Sequence, residues 1–149
     1  MTSVESRPSV SIVMTAYNSA ATIKAAIDAA LGQNYPTFEI VVLDDGSTDE
    51  TEPICRSFTD PRLRYLKRQR IGRPKALNEA ILSAQGDYIA INDADDLSHP
   101  FRLQHSMTVM NAHPEVAIMG TNYWKTSQCL FSIHKIGILQ KTKPYLSQP

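Results

Sequence analysis

Several common functional signatures are missing from this sequence. Its two cysteines, Cys55 and Cys129, lie too far apart for a Cys-x-x-Cys redox or zinc pair. They read as reduced thiols of a cytosolic protein, with a single disulfide as the alternative. Neither G-x-G-x-x-G nor G-x-x-x-x-G-K-[ST] occurs, which argues against a dinucleotide fold and a P-loop. A G-x-S-x-G elbow and a Cys/His nucleophile pair are likewise absent. No run approaches the roughly 20 apolar residues of a membrane span, and Met1–Pro8 has no apolar signal region. The formal net charge is zero, so no overall electrostatic attraction to nucleic acid exists.

Acid is also scarce in one region. Residues 1–124 carry 11 basic and 15 acidic side chains, and residues 125–149 carry four lysines and no acid. After Asp96 the one remaining carboxylate side chain is Glu115. With 149 residues, 42% of them hydrophobic, the chain is expected to form one globular domain with a real core.

What is present alternates. Residues 1–8 read as a loose leader. Ser9–Tyr17, Phe38–Ser47, Leu63–Leu66, Asp87–Asn92 and Val116–Tyr123 are short β-rich runs, the second running into a polar turn. Between them lie helical patterns. Ile23, Ala26, Ile27, Ala30 and Leu31 form one apolar stripe, with Asn18 or Ser19 as cap and Gly32 as stop. Ser47-Thr48-Asp49-Glu50 reads as a capping box for a helix to about Phe58. Leu77, Ala80, Ile81 and Ala84 mark a third helix ended by Gly86. Ser98 caps a fourth, with Pro100 in its first turn and Leu103, Met107 and Met110 on its apolar face. After Tyr123 the alternation stops, leaving a strand plus tail or an irregular end.

Strands alternating with helices imply βαβ units: an α/β fold with a mostly parallel sheet flanked by helices. Such sheets bind ligands beyond the strand C-terminal ends. The loops there are Thr15–Ser19, Asp44–Ser47, Lys67–Lys75 and Asn92–Ser98. Asp93, Asp95 and Asp96 suit a hard cation such as Mg²⁺ or Mn²⁺. They equally suit a helix N-terminus or a solvated loop. Asp44 and Asp45 offer acceptors to a base or ribose, or simply signal a turn with Gly46. Tyr17 can stack on a base or cover the core edge. Arg62, Arg64, Lys67, Arg68, Arg70, Arg73 and Lys75 form a solvated basic face, or place Arg73 or Lys75 over a diphosphate. Only Tyr65 interleaves them, which does not support RNA binding. The histidines His99, His105, His113 and His134 read as structural or exposed.

Taken together, "VSIVMTAYNSAATIKAAIDAALGQNYPTFEIVVLDDGSTDET" and "GRPKALNEAILSAQGDYIAINDADDLSHPFRL" resemble glycosyltransferase family 2, the inverting GT-A group, over residues 9–123. The resemblance implies a GT-A-like fold and a UDP- or dTDP-sugar donor, with Mn²⁺ or Mg²⁺. By position, Thr15, Ala16 and Tyr17 would line the base and ribose pocket, and Asp45 would recognise the base with Asp44 beside it. Gly72–Lys75 would run along the nucleotide, with Arg73 in contact. Asp93-Ala94-Asp95 matches the family's Asp-x-Asp, Asp95 as metal ligand and Asp93 as sugar, ribose or second metal contact. The acceptor, a glycan or a lipid-linked one, is not specified. The resemblance implies cell-surface polysaccharide synthesis. With no apolar span, the chain reads as a cytoplasmic domain with room for peripheral membrane contact, and a truncated edge that exposes apolar surface would promote self-association. Inversion by direct displacement needs a base for the acceptor hydroxyl, usually a carboxylate in the family's second half. The acid-free tail 124–149 supplies none, so the expectation is a truncated donor-binding part. The alternative is a non-catalytic nucleotide-binding fragment.

Overall fold

A computed structural model describes residues 9–121 and 137–140. The chain order is β1 (Val10–Ala16), α1 (Ile23–Leu31), β2 (Phe38–Asp44), α2 (Thr51–Arg56), β3 (Leu63–Lys67), α3 (Arg73–Ser83), β4 (Tyr88–Ile91), α4 (Arg102–Ala112), β5 (Ile118–Gly120) and β6 (Gly137–Gln140). The expected leader and most of the tail lie outside the described residues. Within the tail, β6 joins the sheet, whose order is β3-β2-β1-β4-β6-β5. The first four strands are parallel, while β6 runs antiparallel to both β4 and β5. β5 therefore lies at the edge, one strand away from β4.

The period of two in the strands divides the core into two layers. Val10, Ile12 and Met14 of β1 and Ile40 and Val42 of β2 pack with Ile23, Ala26 and Ile27 of α1 and Leu103, Met107 and Met110 of α4. Val13, Val41 and Leu43 point the other way, against Ala76 and Ala80 of α3. The predicted stripes of α1 and α4 are therefore core. Each fully buried Ile or Leu contributes about 1.5–3 kcal/mol.

Four helix starts differ from the sequence expectation, three of them because the expected cap is used elsewhere. Thr22 precedes α1; Asn18 Oδ1 instead accepts from the Thr48 N–H in the loop after β2, and the Ser19 hydroxyl donates to the Tyr17 carbonyl. No capping box forms at α2, which ends at Arg56; the Ser47 hydroxyl accepts from the Asn18 N–H, and Asp49 accepts from the Thr51 N–H and hydroxyl. α4 begins at Arg102, and the Ser98 hydroxyl donates to Asn92. α3 begins at Arg73, so Arg73 and Lys75 sit in a helical first turn rather than a loop, with Pro74 where its missing N–H is harmless.

Gly86 is not the stop of α3, which ends at Ser83. A Cβ on Gly86 would lie 2.6 Å from the Ser11 nitrogen and 2.8 Å from the Val10 carbonyl carbon. Close approach to β1 is its constraint. Beneath it sits a polar network that the sequence pattern does not signal. Glu39, 5% exposed, accepts from the Ser11 hydroxyl at 2.6 Å, from Arg64 at 2.8 Å and from the Gln85 N–H. Ser11 in turn accepts from the Gly86 N–H. Burial pushes the Glu39 carboxyl upward, but the bonds from Ser11, Gln85 and Arg64 outweigh it and hold the group below its ordinary 4.5.

Two outcomes follow. Gly86→Ala should cost about 1–3 kcal/mol or more in urea unfolding, whereas Gly120→Ala, with nothing within 4 Å, should be near neutral. Glu39→Gln should cost about 2 kcal/mol at neutral pH. The wild type's advantage should be full above the unfolded-state value of 4.5. It should fade as pH falls through the lower folded-state value, as read from unfolding curves across acid pH.

Candidate functional site

The strand order reverses direction at β1. β2 and β3 lie on one side of it and β4 on the other, which makes the β1/β4 boundary the switch point where the loops diverge and leave a crevice. There the turn after β1 is fastened to the turn after β2. The Asp45 N–H donates to Ala16 C=O at 2.8 Å, the Asn18 N–H to Ser47 Oγ at 2.9 Å, and the Thr48 N–H to Asn18 Oδ1 at 2.9 Å. Asn18 adopts φ of +48°, a left-handed conformation that Asn tolerates better than most residues. From the β1/β4 side, the Asn92 N–H donates to Val13 C=O.

Thr15, Ala16, Tyr17, Ser19, Asp45 and Arg73 line one cleft of about 200 Å³ at this edge. Asp44 is fully buried. Its carboxylate accepts from the Tyr65 hydroxyl at 2.6 Å and from the Ser47 N–H at 2.7 Å. Burial first, then the bond to Asp44, pushes the Tyr65 hydroxyl far above its usual range, so it stays a proton donor. Asp44 thus shapes the turn from beneath the cleft. Asp45, 4% exposed, accepts from the backbone N–H of Ile71 at 2.7 Å and of Gly72 at 3.0 Å. Its carboxylate ties the segment before α3 across the cleft. Gly46, next in the chain, has φ of +80°, and a Cβ there would meet the Arg70 nitrogen at 2.9 Å.

The basic stretch resolves into individual partners. Arg62 pairs with Asp60, Arg64 with Glu39, Lys67 with Glu52 and Arg68 with Glu79. Arg73 reaches across to Asp93. Arg70 lies with its guanidinium carbon 3.4 Å from the centre of the Tyr17 ring, a stacked cation–π contact. Asp93 is half-buried at its pair with Arg73, Asp95 is exposed, and Asp96 is buried. Among the described residues no three His, Cys, Asp or Glu side chains converge as a metal cluster. Glu115 Oε1 lies 3.2 Å from His113 Nδ1, just before β5. Because β5 runs parallel to β4, Glu115 belongs to the edge opposite the cleft. Cys55 is buried and free, its thiol pushed up to about 12 by burial and by nearby Asp44 and Glu52. It is not a nucleophile.

The model of the glycosyl transferase family 2 matches residues 11–147. The chain belongs to glycosyltransferase family 2. Relatives include the succinoglycan biosynthesis protein ExoO of Rhizobium meliloti, 42% identical over 68% of this chain and 29% of that protein. Another is the Escherichia coli UDP-Glc:alpha-D-GlcNAc-diphosphoundecaprenol beta-1,3-glucosyltransferase WfaP, 35% identical over 77% of this chain and 46% of that one. Among solved structures, the mannosyltransferase PcManGT from Pyrobaculum calidifontis, in complex with GDP-Man and Mn²⁺, superposes with a TM-score of 0.75. It is 27% identical, over 90% of this chain and 45% of that one. The chain spans between 32% and 55% of the length of the first curated relatives it matches.

Within this family 2 domain, Thr15, Ala16, Tyr17, Asp45 and Arg73 come together in one cleft, and Asp93 joins them through Arg73. Asp44 and Asp95 do not line it. Two further residues at the site escaped sequence reading. Ser19 was spent on a helix cap, and Arg70 was one cation among seven. The signal for Arg70 was its place two residues before Gly72, next to the segment that Asp45 holds. Asp45→Ala should accelerate amide hydrogen exchange at Ile71 and Gly72 at least tenfold, with β3 amides unchanged. Stability should fall by about 1–3 kcal/mol.

Proposed function

We propose that this domain binds a nucleoside-diphosphate sugar in the switch-point cleft, with a divalent metal, for inverting glycosyl transfer. One observation carries the reading: Thr15, Ala16 and Tyr17, Asp45, and Arg73, from three separate stretches of sequence, line a single cleft at the strand C-terminal edge. Its roughly 200 Å³ is less than the about 300–1,000 Å³ of a complete small-molecule pocket. That suits the nucleoside end, with diphosphate and sugar extending toward Arg73 and Asp93. Tyr17 offers a stacking face, and Thr15 and Ala16 the floor beside it. Arg73 moves from Asp93 to a diphosphate oxygen, since a guanidinium binds either anion through the same donors. Relatives support the donor class: WfaP is named for UDP-Glc, and PcManGT was crystallised with GDP-Man and Mn²⁺. UDP- and dTDP-sugars remain the expected donors, with GDP-sugars as the competing case. ExoO and WfaP suggest a glycan or lipid-linked acceptor.

The donor set fits Mg²⁺ or Mn²⁺ of the kind held by one or two carboxylates together with substrate phosphates and water. Asp95, exposed beyond the cleft, and Asp93, beside Arg73, would hold it. When bound, such an ion neutralises charge on the departing diphosphate. The chain's own residues orient the donor and offset its charge.

A second reading, nucleotide binding without transfer, is favoured by one observation. Glu115 precedes β5, at the strand ends opposite the cleft, so it does not supply a base for an acceptor hydroxyl there. Calorimetry with UDP, dTDP and GDP and their sugars, with and without Mn²⁺, tests the main reading. Binding is expected, tighter with Mn²⁺. Tyr17→Ala should weaken it by roughly 1–3 kcal/mol, and Asp95→Ala should remove the metal-dependent gain. No binding by any nucleotide, or full metal dependence in Asp95→Ala, would overturn it. Sugar transfer by this chain at an ordinary enzyme rate would dispose of the second reading.

A further inference from the structure

Arg102 is the one buried cation among the described residues, 8% exposed at the first position of α4. Its Nη2 donates to the Ile91 carbonyl at 3.0 Å, at the end of β4. Its Nη1 donates to the Ser98 hydroxyl at 3.1 Å and to Asn92 Oδ1 at 3.3 Å. The Ser98 hydroxyl donates to the same Asn92 oxygen at 2.6 Å. The Asn92 amide then donates to the carbonyls of Asp93 at 3.0 Å and Asp96 at 3.2 Å. Burial lowers the Arg102 guanidinium to about 10, against the pull of buried Asp96, so it is charged at neutral pH. Asn92, Asp96 and Ser98 are themselves all buried.

This network closes around the acidic turn. Ile91 stands on one side of Asp93-Ala94-Asp95, Ser98 on the other, and both are held by one guanidinium. The Asn92 side chain spans the turn from within. Nothing in the network lines the cleft. Burying a charge is costly, and apolar residues of similar volume are often as stable or more so. Core stability therefore does not account for a cation here, whereas fixed geometry does. A planar fork with several donors holds three acceptors in a set arrangement, which a lysine cannot reproduce.

We infer that Arg102 is a positioning residue: it fixes the Asp93-Ala94-Asp95 turn, and so the orientation of both carboxylates toward the diphosphate of a bound donor. The inference rests on the nucleotide-sugar reading and extends it to a residue that touches no ligand. It separates two parts of the site. Contacts to the nucleoside come from β1 and from Asp45, which Arg102 does not touch. Contacts to metal and diphosphate come through the turn, which it does.

The test uses the full chain and the nucleoside diphosphate that the wild type prefers among UDP, dTDP and GDP, with the matching monophosphate. Affinities are measured by calorimetry with and without Mn²⁺, beside unfolding curves. Arg102→Met should leave monophosphate affinity within about twofold of wild type while the Mn²⁺-dependent gain for the diphosphate falls at least tenfold. Arg102→Lys, with the charge but without the fork, should recover only part of that gain. Should Arg102→Met fail to fold, Ser98→Ala removes one member of the network and should lose several-fold of the metal-dependent gain alone. An unchanged gain in these variants would overturn the inference, as would a parallel fall of monophosphate and diphosphate affinity, the mark of a merely structural role. A wild type that binds no nucleotide would instead remove the underlying reading, and this inference with it.

Discussion

β1 pairs in parallel with β2 on one side and with β4 on the other, and the rest of the site depends on that double pairing. The right-handed crossovers of βαβ units carry the chain away from β1 in opposite directions. Their departure leaves a crevice beyond Ala16. Residues from Thr15 to Asp93, more than seventy apart in sequence, come to one edge for this reason. One face of the strand is apolar (Val10, Ile12, Met14 and Ala16) and the other sets Val13 between Ser11 and Thr15; helices cover both, so the backbone ladder and two layers of side chains hold β1 at once. Few elements in the domain have less freedom to move, which suits the floor of a binding cleft.

Upon that rigid floor the polar residues divide into those that face the cleft and those that hold something else in place. Asp44 and Asp45 are neighbours with different tasks: one carboxylate shapes its own turn and receives the Tyr65 hydroxyl, the other gathers two backbone amides of a distant segment. Glu39 and Arg102 repeat the device in other places. Each is a buried charge whose hydrogen bonds are largely to backbone or to small polar side chains, and each fastens a connection rather than filling a core. A buried ion with several directed bonds stabilises little on balance. What it adds is a preferred arrangement, because its bonds are directed; even so, one donor of Arg102, the buried Nε, has no partner.

The fold was legible because its signals are periodic and local. The apolar runs of β1, β2 and β4, the stripe of α1 and the buried face of α4 each repeat over several residues, and the structure uses them as core. The cleft residues were legible at one remove, since a strand followed by a polar turn identifies the ligand edge. Helix starts were read less well. Asn18, Ser47 and Ser98 all have cap chemistry, but Asn18 and Ser47 are drawn into bonds between two loops that only folding brings together, and Ser98 into a bond with Asn92 across the acidic turn. Gly86 looks like a helix stop, yet its constraint is the backbone of β1. β6 gave little warning, because a four-residue strand can be fixed by its pairing with β4 and β5 without a strong pattern of its own.

By itself the sequence determined the alternation of strands and helices, the two-sided core, and which polar turns would follow the strand C-terminal ends, because burial period and turn chemistry are properties of neighbouring residues. The family resemblance then attached roles to those turns. Tertiary structure decided which charge meets which. It set Arg70 on the Tyr17 ring, Arg73 beside Asp93, Asp45 under the Ile71 and Gly72 amides, and Arg102 inside the acidic turn. These pairings are between residues 10 to 53 positions apart. No local pattern can select which acid each of the seven cations meets, since the selection is made by distance and by the loss of water, and both exist only once the chain has closed.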